Sequence, residues 1–150
     1  AEADWPRPLQ ESDAYAIERG LVQRTLEDVR EITEVADVDP DHVEIAVAPR
    51  WKYAAYEVAR TAERNEAIVA RILDVDGMPA KDVAGPYAAE LQERSAGLEP
   101  ILDADRELTV LQEATWLFAD EFDANVTIRR ATEGDLAETA TPNRPAIHVD

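Results

Sequence analysis

Three short segments of alternating apolar and polar residues lie far apart in a chain whose other apolar residues recur every three or four positions. Residues 43–47, 126–129 and 146–149 show the alternation, which is typical of strands with one buried face. The segments between them show helical periods. Because separated strands must meet to bury their apolar faces, we predict an α+β fold: several helices packed on a small sheet of about three strands. The pattern leaves the strand order open.

Two segments lack any period. Residues 1–11 are expected to form an extended lead-in, and residues 131–145 are small, polar and expected to be irregular. Ser12 or Asp13 is expected to cap a long first helix of about 24 residues. The strands and remaining helices therefore follow one long leading helix.

The remaining helical segments have recognisable boundaries. They are predicted at residues 49–62, 68–73, 83–91 and 103–122. Val83, Tyr87 and Leu91 are four residues apart and are expected to face the core, with Pro86 kinking or restarting their helix. Asp103 is expected to cap the last helix.

The charge balance limits the environment in which such a chain is soluble. It has 33 acidic and 15 basic residues, a net charge of −18, and only two lysines, Lys52 and Lys81. An acidic disordered tail would have few apolar residues, whereas this chain is 45% apolar. We therefore predict a folded protein adapted to high salt, with an ordinary acidic domain as the alternative.

The composition excludes cysteine-based sites and argues against a membrane-spanning or secreted protein. The chain has no cysteine, which excludes disulfides and thiolate chemistry. No apolar run is long enough for a bilayer, and nothing resembles a signal peptide. The chain begins with alanine, and we interpret it as a piece of a larger, cytoplasmic protein without a membrane partner.

Catalytic and metal sites find little support. His42 and His148 are far apart and have no motif partner, so both are interpreted as strand-end residues. No nucleophile elbow or phosphate loop occurs. The acidic groups at residues 37–41 and 120–123 lack the glycine and distant glutamate of a calcium loop and are interpreted as solvated turns. No catalytic residue and no metal ligand are predicted.

Two cationic segments are candidates for binding a nucleic-acid backbone. Arg50 and Lys52 flank Trp51 at a helix start, where free amides and the helix dipole favour phosphate. Trp51 either stacks on a base or belongs to the core, and if it is core, Arg50 and Lys52 point outward. Arg129 and Arg130 point to opposite faces of a strand, and salt bridging and phosphate binding both remain open for them.

Four segments carry a family resemblance. Residues 4–6 read Asp-Trp-Pro, residues 25–32 read Thr-Leu-Glu-Asp-Val-Arg-Glu-Ile, residues 43–52 read Val-Glu-Ile-Ala-Val-Ala-Pro-Arg-Trp-Lys, and residues 144–147 read Arg-Pro-Ala-Ile. In this order they resemble the C-terminal region of an archaeal-type leucyl-tRNA synthetase, and the acidic composition points to a halophilic one. Residues 78–124 match that family in helical character more than in identity.

The resemblance implies a division of the chain and a function. Residues 1–38 would be the end of the anticodon-binding helical domain, and residues 41–150 a C-terminal tRNA-recognition domain. The His-Ile-Gly-His-like and Lys-Met-Ser-Lys-Ser-like motifs of these synthetases are absent, so catalysis, ATP and Mg²⁺ would belong to other domains of the parent enzyme, and this fragment would need no cofactor. The implied partners are leucine tRNA and other synthetase domains, not DNA. A structural module that docks other domains is the alternative.

The resemblance also indicates which residues would contact RNA. In these synthetases the C-terminal segment contacts the long variable arm of leucine tRNA, which makes candidates of Asn143, Arg144, Ile147 and Asp150. Asn143 stands where the family has glycine, and asparagine tolerates similar backbone angles. The alternative is that Ile147 and Val149 merely complete the sheet. Both interpretations hold together if the Ile147 side chain points inward and its main-chain groups point outward. In concentrated salt, distant carboxylates are screened, so short-range contacts would carry the binding.

Overall fold

The computed structural model describes residues 6–63 and 67–150, with side chains described from residue 14 onward. It confirms the α+β prediction: helices pack on a three-stranded mixed sheet. The elements are α1 (Pro6–Ala36), β1 (His42–Val47), α2 (Arg50–Thr61), α3 (Ile68–Leu73), α4 (Lys81–Arg94), a 3₁₀ turn (Ser95–Gly97), α5 (Ala104–Glu113), α6 (Thr115–Phe122), β2 (Asn125–Arg130), α7 (Asp135–Thr139) and β3 (Ala146–Val149).

The first helix is longer than its apolar period indicates. It already includes Pro6, so the extended lead-in predicted for residues 1–11 is wrong for residues 6–11, while residues 1–5 and the side chains of Ser12 and Asp13 lie outside the described part. Proline is well tolerated in a first helical turn because its missing N–H would have no helical partner there. None of the helices described in residues 6–63 and 67–150 is both long and apolar enough to cross a membrane.

The sheet has the order β2-β1-β3, with β1 at its centre. β1 pairs with β2 in parallel, Ile45 facing Ile128, and with β3 antiparallel, Ile45 facing Ile147. A parallel pair needs a long crossover, and α2 to α6 provide it. Because α1, α5 and α6 cover one face, the side chains of Val43, Ile45 and Val47 are completely buried, as their alternation predicts.

The other face of β1 is also covered, although the sequence predicts a half-buried strand. Ala46 is completely buried because Ala131 and Ala137 pack against it. The helix α7, which carries Ala137, was expected to be irregular. A five-residue helix shows too little period to be recognised, and the preceding Gly134, at φ 87°, is the only clear boundary signal.

The crossover helices α2, α3 and α4 form a second core. Tyr87 and Leu91 are buried there as predicted, but Val83 is exposed and Ala84 and Ala88 complete the buried face of α4 instead. Small alanines allow close packing, so the large valine is displaced to the solvent face. The helix α4 does not restart at Pro86 but includes it.

The helix predicted for residues 103–122 is divided. Asp103 caps α5 as expected, its carboxylate accepting the Arg106 N–H at 2.8 Å. The chain leaves helical geometry at Ala114 and re-enters it in α6, which places Phe118 in the main core. The left-handed Asp123, at φ 49°, then ends α6 two residues before β2.

Candidate functional site

A tight turn leads into β3 and presents the candidate residues at the end of the chain. The backbone N–H of Arg144 donates to the Thr141 carbonyl at 2.9 Å, and the Thr141 N–H donates to the Arg144 carbonyl at 3.1 Å. Asn143 adopts a left-handed backbone conformation, with φ 69°. Proline followed by a left-handed asparagine is the signature of a type II turn, so residues 141–144 (the β3 turn) have a sequence suited to this shape.

Arg144 is the exposed charge of the β3 turn. Its side chain is 63% exposed, and one guanidinium nitrogen donates to the Asp28 carboxylate of α1 at 3.1 Å. An exposed ion pair of this kind contributes little stability, about 0–1 kcal/mol. The guanidinium therefore keeps donors that can bind an external anion.

Two grooves meet at Arg144. One has a volume of ≈ 340 Å³ and lies between α1 and the start of β3, with Ile32 and Ile147 in its lining. The other has a volume of ≈ 610 Å³ and reaches from the β3 turn towards α4. Its charged and aromatic lining residues are Arg24, Arg94, Arg144, Glu90, Glu99, Tyr56 and Tyr87. Three guanidinium groups against two carboxylates make this groove locally cationic on a strongly acidic chain.

The outer edge of β3 presents main-chain groups that have no backbone partner among the described residues. His42 and Asp150 exchange both backbone hydrogen bonds, at 2.9 and 3.4 Å. Because such pairs alternate along antiparallel strands, Glu44 pairs with His148 in the same way. The N–H and C=O groups of Ile147 and Val149 therefore point away from β1, although the side chains of both residues pack on the core.

Asp150 takes part in the sheet through its backbone. Its carbonyl accepts the Asp41 N–H at 2.7 Å. Its exposed carboxylate lies 3.1 Å from His148 Nε2. The carboxylate is therefore exposed directly after β3, beside the ring of His148.

Arg50 lies at the surface, but outside both grooves. It begins α2 as predicted, is exposed, and forms a close ion pair with Asp105. That hydrogen bond and charge raise the pKa of Arg50 and lower the pKa of Asp105. The structure does not bring Arg50 together with the β3 turn.

The expectation that Lys52 points outward is wrong. Its side chain is only 4% exposed, and Nζ donates to the carbonyls of Ala137, Glu138 and Ala140 at 2.9, 3.0 and 2.7 Å. These carbonyls belong to the last turn of α7, which has no further helical donors for them. The ammonium group caps α7, and burial lowers the pKa of Lys52.

Trp51 belongs to the core, as one of the two interpretations predicted. It is half-buried, packs on the α2–α4 core, and meets the Tyr87 ring edge-on at a centroid distance of 5.8 Å. The ammonium group of Lys52 lies 5.6 Å from the Trp51 ring centre and 5.2 Å from that of Tyr87. Cation–π attraction thus adds to the capping bonds of Lys52.

The two arginines of β2 both have partners within the protein. Arg129 is exposed and its Nε donates to Glu44 on β1 at 2.6 Å, which is the salt bridge that the sequence left open. Arg130 points to the other face and donates to the carbonyls of Ala48 and Ala104 at 2.8 and 2.6 Å. Arg130 therefore ties β2 to the loop before α2 and to the first turn of α5.

The sequence did not reveal Glu107, which lies beneath the β3 turn. It is completely buried on α5, and its Oε1 accepts the backbone N–H of Asn143 at 2.7 Å. Burial raises the pKa of Glu107 to about 7, while the Asn143 N–H, the Tyr53 hydroxyl, Arg130 and Arg24 act against that rise. Glu107 lies three residues before Val110 and therefore on the same apolar face of α5. This helical spacing is the feature of the sequence that indicates a buried carboxylate.

Three buried oxygen atoms around this bond have no hydrogen-bond partner of normal geometry among the described residues. They are Glu107 Oε2, Tyr53 Oη and Asn143 Oδ1. Burial, followed by the nearby charge of Glu107, also raises the pKa of Tyr53. Glu107 Oε2 and Asn143 Oδ1 can only accept, so burial without a donor is costly for them, whereas the Tyr53 hydroxyl carries a proton that it can turn towards Glu107.

The remaining candidates for chemistry are solvated or structural. His42 Nε2 lies 2.9 Å from Thr127 Oγ1 on the neighbouring strand. Within residues 14–63 and 67–150, no three carboxylate or histidine side chains are placed to hold a metal ion together. The acidic turns at residues 37–41 and 120–123 thus show no such grouping.

Comparison with known proteins gives one consistent result. The chain is 33% identical over 154 residues to the leucine–tRNA ligase of Halobacterium salinarum, a match that covers 100% of this chain and 17% of that relative. It is 28% identical to the leucine–tRNA ligase of Pyrococcus abyssi and 27% identical to that of Aeropyrum pernix, each match covering 99% of this chain and 16% of the relative. No protein-family model matches the chain.

These matches run over essentially the whole chain but over only about one sixth of the length of the curated relatives. The chain is therefore homologous to a segment of leucine–tRNA ligases. This agrees with the family to which residues 4–6, 25–32, 43–52 and 144–147 point.

Proposed function

We propose that this chain, homologous over its length to a segment of leucine–tRNA ligases, is a non-catalytic region of such an enzyme that binds the long variable arm of leucine tRNA. The observation that carries the proposal is the coincidence of an exposed guanidinium, Arg144, with the unpaired main-chain edge of β3. Arg144 ends the β3 turn, where two grooves meet, and the outward-facing groups of β3 begin three residues later, at Ile147.

The chemistry of the β3 turn suits single-stranded RNA. Arginine forms charge-assisted, often bidentate bonds to phosphate oxygens. Sequence-specific RNA recognition targets unstacked bases, whose edges present donors and acceptors. The outward N–H and C=O groups of Ile147 and Val149 can pair with such an edge, as each residue offers one donor and one acceptor. Arg144 thus supplies affinity, and the backbone supplies base discrimination.

The groove beside α4 extends this contact surface. Arg24 and Arg94 line it with Arg144, and the rings of Tyr56 and Tyr87 lie in the same wall. Arg24 has no ion pair among the described residues, and Arg94 has a loose one to Glu90 at 3.7 Å. An RNA strand that leaves Arg144 can follow these cations, since its phosphates repeat along the backbone.

The net charge of −18 is compatible with this role if the protein works in concentrated salt. At about 1 M salt the Debye length is roughly 3 Å, so carboxylates outside direct contact are screened. Short hydrogen bonds and stacking then determine affinity. The acidic composition fits a halophilic, cytoplasmic parent enzyme. In such an enzyme, other domains would bind ATP and Mg²⁺ and carry out the catalysis. In that enzyme residues 1–38 would end the anticodon-binding domain, and residues 41–150 would form the tRNA-recognition domain.

The proposal is tested by Arg144→Ala in the complete protein. We expect the KM for leucine tRNA in aminoacylation to rise about tenfold, the size expected for loss of a charge-assisted hydrogen bond, while leucine-dependent ATP–pyrophosphate exchange is unchanged. Arg106→Ala is the matched control because Arg106 also pairs with an α1 carboxylate, that of Glu18, and lies outside both grooves. Unimpaired charging by Arg144→Ala refutes the proposal.

A second function, docking of other domains, is favoured by exposed apolar side chains on α1 and α6. Val35 is 82% exposed and Trp116 is 69% exposed. Large apolar residues in such positions are typical of surfaces that another domain covers. Deleting residues 41–150 separates the two functions. Loss of charging with intact leucine activation supports RNA recognition, whereas loss of assembly with unchanged discrimination among tRNAs supports docking.

A further inference from the structure

The β3 turn is held from below by a buried carboxylate. Glu107 Oε1 accepts the N–H of Asn143 at 2.7 Å, and Glu107 itself has no exposed surface. Asn143 is the left-handed residue of the turn, so this bond holds the residue with the least favourable backbone angles. Arg144 follows directly, and β3 begins two residues later.

We propose that Glu107 is a positioning residue, which sets the direction of the Arg144 guanidinium and of the outer edge of β3 through its bond to the Asn143 N–H. This inference rests on the proposed function of the β3 turn. It assigns to α5 a part in RNA binding, although no α5 side chain lines either groove.

Rigidity is the physical reason for such an arrangement. The Arg144–Asp28 pair is exposed and weak, and the two backbone bonds between Thr141 and Arg144 fix the shape of the turn but not its tilt against the domain. The Glu107–Asn143 bond joins the turn to a helix of the main core. A binding group that is already oriented loses less freedom on binding, which raises affinity without a new contact.

The groups around Glu107 come from five parts of the fold, one of which is α4, whose Tyr87 interacts electrostatically with the carboxylate. Arg24 approaches from α1, Tyr53 from α2, and Arg130 from β2, while the turn contributes the Asn143 amide. Arg130 is held by two carbonyl bonds and Tyr53 lies against it, with the guanidinium 5.7 Å from the ring centre. The two cations offset the carboxylate charge, and the pKa of about 7 lets both protonation states occur near neutrality.

The protonation state alters how firmly the turn is held. A carboxylate accepts the Asn143 N–H in a charge-assisted bond, and a neutral carboxyl group accepts it in a weaker one. We therefore expect tighter positioning above the pKa of Glu107 and looser positioning below it. Glutamine keeps an acceptor oxygen but is neutral at every pH, so Glu107→Gln should behave like the protonated protein.

The experiment compares Glu107→Ala and Glu107→Gln with the unaltered complete protein, by the KM for leucine tRNA at about pH 6 and about pH 8. Glu107→Ala is expected to raise this KM about tenfold at both values, with leucine activation unchanged. Glu107→Gln is expected to raise it about threefold at the higher pH only. Glu113→Gln, an exposed change on the same helix, is the control.

Each outcome bears on one idea. If Arg144→Ala leaves the KM for tRNA unchanged, the proposed function fails irrespective of Glu107. If Arg144→Ala raises it but folded Glu107→Ala does not, the proposed function stands and the positioning role is overturned. Should Glu107→Ala not fold, Glu107→Gln decides at about pH 8, because a KM for tRNA equal to that of the unaltered protein at that pH overturns the inference.

Discussion

Replacing Glu107 by glutamine should stabilise the fold at alkaline pH but hardly at acidic pH. Burial raises the pKa of this carboxyl group from its usual 4.5 to about 7. The folded state therefore binds a proton more tightly than the unfolded state. The tighter proton binding contributes fully to the free energy of unfolding below pH 4.5. This contribution declines as the pH rises towards about 7 and is absent above about pH 7.

The magnitude follows from the two pKa values. Each tenfold difference in proton affinity between the folded and unfolded states corresponds to about 1.4 kcal/mol, so the charged carboxylate costs about 3 kcal/mol at about pH 8. A glutamine avoids that cost, and its amide group can donate to Tyr53 Oη or Asn143 Oδ1, neither of which has a hydrogen-bond partner of normal geometry among the described residues. At about pH 5 the carboxyl group is already neutral in the fold, and the gain falls below about 1 kcal/mol.

Urea unfolding of the 150-residue chain and of Glu107→Gln, from about pH 5 to about pH 8, measures this difference. Glu113→Gln removes an exposed charge from the same helix and should change stability by less than about 0.5 kcal/mol throughout. The difference in free energy of unfolding between the variant and the unaltered chain at the same pH does not contain the titration of the other carboxylates, because that titration is common to both. A glutamine variant that is less stable at the alkaline end, or whose gain does not depend on pH, would refute the reasoning.

Two further predictions concern the cap of α7 and the electrostatics of RNA binding. Lys52→Met should lower the free energy of unfolding by about 2–4 kcal/mol in urea titrations, because three carbonyls lose their buried donor, and a loss below about 0.5 kcal/mol would contradict the capping role. At a slope of about −0.7 per neutralised phosphate, the KM for leucine tRNA should rise about sevenfold between about 0.2 and 3 M KCl if Arg144 alone binds phosphate, and at most about 300-fold if Arg24 and Arg94 bind as well; a steeper loss would contradict binding by local contacts.

The pattern of the sequence was sufficient for those elements in which local and tertiary preferences agree. The alternation at residues 43–47, 126–129 and 146–149 predicted all three strands, and Asp103 marked the start of α5. The core position of Trp51 was one of two interpretations, and packing against Tyr87 confirms it. Period alone could not show α7, since five residues contain little more than one turn.

The candidate site was less predictable because a side chain's partners come from distant parts of the chain. Lys52 was expected to point outward because it flanks the core residue Trp51, yet a carbonyl 85 positions away accepts a hydrogen bond from its ammonium group. The roles of Arg129 and Arg130 differ for the same reason, one meeting a carboxylate and the other two carbonyls. Glu107 was overlooked because its partner, the Asn143 amide, is supplied only by the folded turn.

The sequence by itself determined the α+β class, the strands, the main apolar faces and the likeness to leucine–tRNA ligases, because these depend on periodicity and residue identity along the chain. The tertiary structure alone decided the strand order β2-β1-β3 and the outward-facing edge of β3. It also decided which cations are buried and which remain exposed. Burial and hydrogen-bond partners depend on segments brought together by folding, and these fix the availability and pKa of each charge.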